Sequence, residues 1–287
     1  MRDYWLTQGW LQAAGLGYVL FATLAVVAAA WLPKGWKAKT LAVVVVLGLA
    51  SILPIQSMRE LAQRRQENEA AKTRFAKAKS LFDEHCRGAG ETIGKTVENV
   101  DGILLINVRP RRTNANEQFV MDDPYGRDCS GGDDCIGAYL FGYRMVPVGR
   151  DGQAGLAPQR ERLYRFVDAD DASGKRYRYT KDSAQSPLRK ASPSDARPRY
   201  GVLWEDISTR ADREYWIAGG SLKVIDLSTN EVIAERRGYL IDPGQGDTAG
   251  DRSPWDWARS HTNACPSVAE HNQQFVAKVL RPTSGEK

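Results

Sequence analysis

Residues 221–242 read SLKVIDLSTNEVIAERRGYLID, two runs of strand-forming residues on either side of a short polar stretch. Leu222 and Val224 alternate with Lys223, which is the period-two pattern of a strand with one buried face. The intervening LSTN supplies turn residues, and Asn230 tolerates the positive φ that tight hairpin turns need. The stretch therefore predicts a β-hairpin inside a sheet-containing domain.

The chain on either side of the hairpin repeats this strand signal. Apolar or aromatic runs of strand length occupy residues 100–108, 136–146, 162–167, 199–207, 213–226 and 231–241. No helical pattern of ordinary length separates these runs, which argues against β-α-β units and predicts an antiparallel sheet. Three stretches, 109–135, 147–160 and 168–198, are rich in Pro, Gly, Asn, Asp or Ser and are predicted to be irregular.

Almost all of the long apolar runs lie before residue 57. Residues 11–32 and 40–58 carry no charge, and as helices they would be about 33 and 28 Å long. A hydrocarbon core is about 30 Å thick, so residues 1–58 are predicted to form a two-helix transmembrane hairpin. A cleaved signal peptide is the alternative for the first run. That run lacks a basic beginning and is followed by a second apolar run, so the alternative fits less well.

Residues 59–87 are predicted to form a helical stalk, because they are rich in helix formers and contain neither Gly nor Pro. An apolar stripe at helical spacing predicts that only the second half packs on the following domain. The stripe consists of Ala71, Phe75, Ala78 and Phe82. Residues 88–287 then form the soluble domain, which a helix at 267–280 completes. The predicted fold class is α+β.

The four cysteines suit two disulfides. Cys129 and Cys135 flank SGGDD, which is flexible enough to bring the two Cα atoms within bonding range, and their spacing differs from the redox motif C-x-x-C. Pairing Cys129 with Cys135 and Cys86 with Cys265 is the economical arrangement outside the cytoplasm, whereas in the cytoplasm all four would be reduced.

Two groups of residues are of types that bind metals. His85, Cys86, His261 and Cys265 could supply four zinc ligands, but neither pair has the spacing of common zinc modules. Five aspartates share one predicted loop: Asp122, Asp123, Asp128, Asp133 and Asp134. Their order does not match a calcium-binding EF-hand. We therefore predict no metal and no cofactor, and we treat the aspartates as a candidate interaction loop.

The charge distribution bears on partners and topology. The whole chain carries +5 and its first 56 residues +3, so residues 57–287, with 36 basic and 34 acidic residues, carry only +2. This argues against a nucleic-acid partner. The basic and aromatic stretch KRYRYTK (175–181) is interpreted as a strand with one charged and one aromatic face. Lysines and arginines flank both apolar runs, so the cysteines decide the predicted orientation, with the soluble domain in the periplasm.

Three strings in the soluble part, AGETIGKTVENVDGILL, TNEVIAERRGYLID and CPSVAEHNQQFVAKVLRP, resemble a group of uncharacterised proteobacterial envelope proteins. The resemblance implies an envelope setting, and the association of some such proteins with secreted toxins implies an immunity role. It implies no catalytic residues.

The function predicted is a non-catalytic binding module anchored in the bacterial inner membrane, with a toxin or an envelope-complex subunit as protein partner. One alternative is an accessory or assembly factor of an envelope or secretion machine. The other is a membrane-tethered hydrolase that uses the aspartates of the 122–134 loop.

Overall fold

The computed structural model describes residues 2–33, 35–108, 116–119, 132–150, 153–171, 173–193, 196–258, 262–266 and 272–283. The chain forms two compact units, Met1–Lys72 and Thr73–Lys287. The helices are α1 (Arg2–Trp31), α2 (Trp36–Cys86), α3 (Asp133–Leu140), α4 (Arg210–Glu214), α5 (Pro254–Ala258) and α6 (Asn272–Val279). The strands are β1 (Gly90–Ile93), β2 (Val97–Val100), β3 (Gly102–Leu105), β4 (Phe141–Arg150), β5 (Gln153–Arg162), β6 (Phe166–Asp170), β7 (Arg176–Thr180), β8 (Arg189–Ala191), β9 (Tyr200–Asp206), β10 (Ile217–Asp226), β11 (Glu231–Ile241), β12 (Ala264–Cys265) and β13 (Leu280–Pro282).

The N-terminal unit consists of α1 and the first part of α2. Among the described residues, α2 is the one helix long and apolar enough to cross a membrane, and the apolar part of α1, Gly17–Trp31, is shorter. The Tyr18 hydroxyl donates a hydrogen bond to the Ala50 carbonyl and so links the two helices. The apolar run at 40–58 and the predicted stalk form one continuous helix, which passes through Pro54.

A nine-stranded sheet organises the second unit, in the order β1-β11-β10-β9-β3-β6-β7-β8 with β12 beside β11. The hairpin predicted at 221–242 is confirmed as the antiparallel pair β10–β11, and Asn230 in its turn has a φ of 57°. The prediction of a purely antiparallel sheet is wrong, because β3 runs parallel to both β6 and β9. Parallel neighbours need a long crossover, and the chain between β3 and β6, which includes α3 and the β4–β5 hairpin, provides one.

Three local predictions also need correction. The run 136–146 is not one strand, since α3 ends at Leu140 and β4 begins at Phe141. Much of 147–160 belongs to the β4–β5 hairpin, and 168–198 contains the end of β6 with all of β7 and β8. Polar composition suggested irregular chain there, but a strand can carry polar side chains when cross-strand partners neutralise them. The C-terminal helix is confirmed from Asn272 onward, and residues 267–271 lie outside the described part.

Apolar side chains bury one face of the sheet beneath α3 and α6. Phe275, Val276 and Val279 from α6 pack with Leu140 from α3 in the main core. The Tyr164 hydroxyl donates to the Leu280 carbonyl at 2.7 Å, so the largest polar group in this core is satisfied. Burial raises the pKa of Tyr164, which therefore stays neutral.

The predicted stripe at the end of α2 is confirmed in its last three positions, with Phe75 partly buried against the cluster that Ala78 and Phe82 join. Ala78 and Phe82 are buried against Ile217 and Ile241, which face each other across β10 and β11. Ala71 is exposed. The end of α2 is thus part of the folded domain.

Candidate functional site

A disulfide joins the end of α2 to the sheet. Cys86 and Cys265 are bonded, with their Cα atoms 5.6 Å apart, across 179 positions of sequence. Strand β12 places Cys265 opposite Tyr239 of β11. The predicted Cys86–Cys265 pair is confirmed. Cys135 is disulfide-bonded too, but its predicted partner Cys129 lies outside the described residues, so that pairing stays a prediction.

His85 lies beside this disulfide and is held on two sides. Its Nε2 is 2.7 Å from Oδ1 of Asp212, and its ring stacks on Tyr239 with 4.7 Å between centroids. The other oxygen of Asp212 accepts hydrogen bonds from the backbone and hydroxyl of Thr209, which caps α4. Burial and the nearby Asp212 charge raise the pKa of Tyr239. Because Cys86 and Cys265 are bonded to each other, their sulfurs are not zinc-binding thiolates.

A row of charged side chains follows Tyr239 across the sheet. Arg237 pairs with Glu235 at 2.9 Å, and the buried Ser221 hydroxyl donates to the same carboxylate at 2.7 Å. Burial raises the pKa of Glu235, but the bonds from Arg237 and Ser221 outweigh burial and hold the pKa below its usual value. Lys223 pairs with Glu205 further along. Glu235 and Glu205 are therefore both paired within the domain.

A groove lies beside the same strands at the β1 end of the sheet. It encloses about 480 Å³ and is lined by residues 88–92 and 94 and by 232–235 and 237. This volume is in the range of sites that hold a small molecule or a peptide segment. Glu91 in its wall pairs with Lys278 at 3.4 Å, and Arg237 and Glu235 add one charge of each sign. Charges of both signs therefore line the groove.

Tryptophans have structural roles in this domain. Trp216 and Trp255 are buried with their rings 5.1 Å apart, and Trp257 is exposed. Trp204 lines a small, mostly apolar pocket, where its backbone N–H and carbonyl both bond the side chain of Asn107, at 2.9 and 2.6 Å. The side-chain amide of Asn107 thus takes the place of a backbone group and continues the hydrogen bonding between β3 and β9 past the end of β3.

The segment 175–181 has the interpreted two-faced pattern. Strand β7 directs Arg176 and Arg178 to one face, where both approach the fully buried Asp168. Arg178 donates two hydrogen bonds to that carboxylate, at 2.8 and 3.1 Å. On the other face Tyr179 is buried in the main core and Tyr177 packs at its rim. The interpretation of one charged and one aromatic face is confirmed.

Strand β8 adds more positive charge at the end of the sheet. Lys190 lies opposite Tyr179, and its Nζ is 3.7 Å from the centroid of the Tyr177 ring. Lys175 approaches the same ring at 5.2 Å. Arg189 is exposed and pairs with Asp182. We call residues 175–191 the basic edge; sequence reasoning missed it because β8 falls in a stretch predicted to be irregular.

The predicted acidic interaction loop is only partly described. Asp133 and Asp134 are exposed in the first turn of α3, where negative charge interacts favourably with the helix N-terminus. Asp122, Asp123 and Asp128 lie outside the described residues. In the part of the chain that the structure describes, no group of three or more His, Cys, Asp or Glu side chains is placed to hold a metal ion.

The glycine-rich stretch 244–250 is a turn organised around a buried carboxylate. Asp242 is fully buried and pairs with Arg252, and it also accepts hydrogen bonds from the backbone of Gly244 and Gly246, at 3.2 and 2.8 Å. Gly246 has a φ of 89° and lies against the ring of Trp216, so a side chain there would meet both backbone strain and a clash. In the sequence, the only sign of this buried carboxylate is an aspartate directly before a glycine-rich turn.

No family model matches this chain, and neither a curated protein nor a solved structure matches it. The chemistry of the described surfaces is that of charge pairing and hydrogen bonding between side chains that hold each other in place.

Proposed function

We propose that the chain is an inner-membrane protein whose soluble domain faces the periplasm and acts as a non-catalytic binding module. The observation that carries the proposal is the Cys86–Cys265 disulfide. Disulfides persist in oxidising compartments, whereas cytosolic proteins keep their thiols reduced. This bond closes the end of the helix whose first half is apolar enough to enter a membrane, so the domain that it closes belongs on the oxidising side.

We propose further that α1 and α2 both cross the membrane as a hairpin. Helix α1 has 30 residues, about 45 Å of helix, which exceeds the thickness of a hydrocarbon core. The Tyr18 hydroxyl bonds the backbone of α2, a type of contact that holds helices together where no water competes. Both chain ends would then lie on the periplasmic side.

The topology predicts a specific result of thiol labelling in intact cells with a membrane-impermeant maleimide. We expect no labelling of the untreated protein and labelling after a reductant is added, because the thiols are outside but oxidised. A Cys86→Ser variant frees Cys265 and should be labelled without reduction. Labelling that requires broken cells, with or without the reductant, would place the domain in the cytoplasm and contradict the proposal.

Three buried acids of the domain are engaged in ion pairs, which suits a structural role for them. Asp168, Asp226 and Asp242 are each buried, and each is paired with an arginine. Hydrogen bonds from Arg199 and Ser228 hold the pKa of Asp226 well below its usual range. Asp226 is therefore poorly suited to take up or release a proton near neutral pH.

The most concrete form of the proposal is an immunity protein against a toxin that acts in the envelope; an assembly factor for an envelope machine is the alternative. The resemblance to envelope proteins supports this form, and the rigid charged surfaces of the domain are suited to a protein partner. We expect co-expression with the toxin encoded beside this gene to restore growth that the toxin alone abolishes. Equal killing with and without this chain would exclude immunity, and stable co-purification with other membrane subunits would favour the assembly role.

A further inference from the structure

We propose that the basic edge binds an acidic, extended segment of a partner protein, which adds to the sheet as a strand beside β8. This inference rests on the proposed function in one respect only, namely that the ligand of the domain is a protein. It names the surface and the kind of partner that the proposed function leaves open.

Positive charge is concentrated in the basic edge. Residues 175–191 hold six basic residues and one acidic residue, a net of +5. Residues 57–287 hold 36 basic and 34 acidic residues in total, so 30 basic and 33 acidic residues remain outside this segment. Arg176 and Arg178 pair with the buried Asp168, so the exposed positive charge of the basic edge comes from Lys175, Arg189 and Lys190. Such a local excess of positive charge steers an acidic partner to one place.

Neighbouring side chains hold the cations of the basic edge in place. Lys190 and Lys175 share the Tyr177 ring, at 3.7 and 5.2 Å, and an aromatic face attracts an ammonium group without neutralising it. Arg189 is 68% exposed, and its pair with the equally open Asp182 is a weak surface contact that an incoming carboxylate could replace. The nearby acid Asp171 accepts hydrogen bonds from the hydroxyl and backbone of Ser173 and also interacts electrostatically with Lys190.

Strand β8 has backbone N–H and C=O groups on the side that faces away from β7. Strand β8 is the last strand of the sheet, and among the described residues it pairs with β7 alone. Strand β8 has three residues, so one or two of them direct N–H and C=O groups outward, where an extended peptide can pair with them. A second copy of this edge would be repelled by its own positive charge. Lipid headgroups make no use of outward backbone groups, so the geometry favours a short contact with an acidic peptide.

The test uses the full chain in nanodiscs of uncharged lipid. The probe is a fluorescein-labelled peptide of about eight residues, the length of an ordinary strand, in which Glu alternates with Thr. A matched peptide of alternating Lys and Thr is the control ligand. We expect the Glu peptide to raise fluorescence anisotropy on binding, the Lys peptide to give no change, and added salt to weaken the binding.

The variant Arg189→Glu/Lys190→Glu should bind the Glu peptide at least about tenfold more weakly, because two attractions become repulsions. The matched control is Arg64→Glu/Arg65→Glu, which changes the net charge equally at two exposed positions of α2. Lys190→Arg should retain binding, and an unchanged melting temperature shows that a variant is folded.

Equal binding by the reversed variant, or equal binding of the two peptides, would overturn the inference. Binding of phosphatidylglycerol vesicles without binding of the Glu peptide would assign the edge to lipid and would overturn it as well. These outcomes are separate from the topology: cytoplasmic thiols would refute the proposed function while leaving the peptide result intact.

Discussion

Replacing both Cys86 and Cys265 with serine is expected to lower the free energy of unfolding of the soluble domain by about 5 kcal/mol. The bond joins positions 179 residues apart, and in the chain-entropy model a cross-link that closes so long a loop strongly restricts the unfolded chain. A loss of this size is comparable with the whole stability of many domains. The double variant should therefore melt at a much lower temperature, which circular dichroism of the detergent-solubilised protein would measure.

The predicted Cys129–Cys135 pair provides the matched control. Closing its short loop should contribute only about 2 kcal/mol in the same model, so Cys129→Ala/Cys135→Ala should be the milder double variant. Adding a reductant to the wild-type chain should reproduce the sum of the two effects. If the Cys86→Ser/Cys265→Ser variant melts like the wild type, the disulfide does not hold the end of α2 on the sheet, and the main support for a periplasmic domain is lost.

Replacing Asp242 with alanine is expected to destabilise the domain by about 3–5 kcal/mol, the usual effect of removing one member of a buried ion pair. The change would leave Arg252, only 11% exposed, without its carboxylate partner. Burial lowers the pKa of Arg252 and so already disfavours its charged form. The backbone N–H groups of Gly244 and Gly246 would lose their acceptor at the same time.

Denaturant unfolding of Asp242→Ala beside Asp182→Ala would measure this effect. Asp182 also pairs with an arginine but is 59% exposed, so its removal should change the unfolding free energy by less than about 1 kcal/mol. An additional Asp242→Asn variant keeps the size of the side chain and removes its charge. If Asp242→Ala were as mild as Asp182→Ala, the 242–252 turn would not depend on its central ion pair.

The basic edge and the helix–sheet junction lie at different strands of the domain and serve different parts of the proposed function. At the junction, the Cys86–Cys265 bond and the His85–Tyr239 stacking hold the last turns of α2 against β12 and β11, and the His85–Asp212 contact holds them to α4. Strand β8, which would contact the partner, is at the opposite end of the strand order. Substitutions at the edge should therefore change binding while leaving the attachment of α2 intact.

Part of this architecture is determined by the sequence itself, wherever the signal is local. The hairpin 221–242, the helix that ends at Cys86, its buried stripe at Ala78 and Phe82, and the two-faced strand 176–180 all follow from side-chain periodicity and helix propensity. These patterns depend on residues a few positions apart, so they can be recognised without knowledge of the rest of the chain.

Only the tertiary structure decided the remaining features, because each depends on residues far apart in the chain. The parallel placement of β3 between β6 and β9 requires that two distant strands meet it, and no period within GILL shows their direction. The polar stretch around Lys190 forms a strand because its backbone pairs with Tyr179 and Thr180 of β7. Asp212 and Asp242 can be buried because each has a partner, His85 for Asp212 and Arg252 for Asp242. Burial of a charge is favourable only beside its partner, and the fold alone brings such partners together.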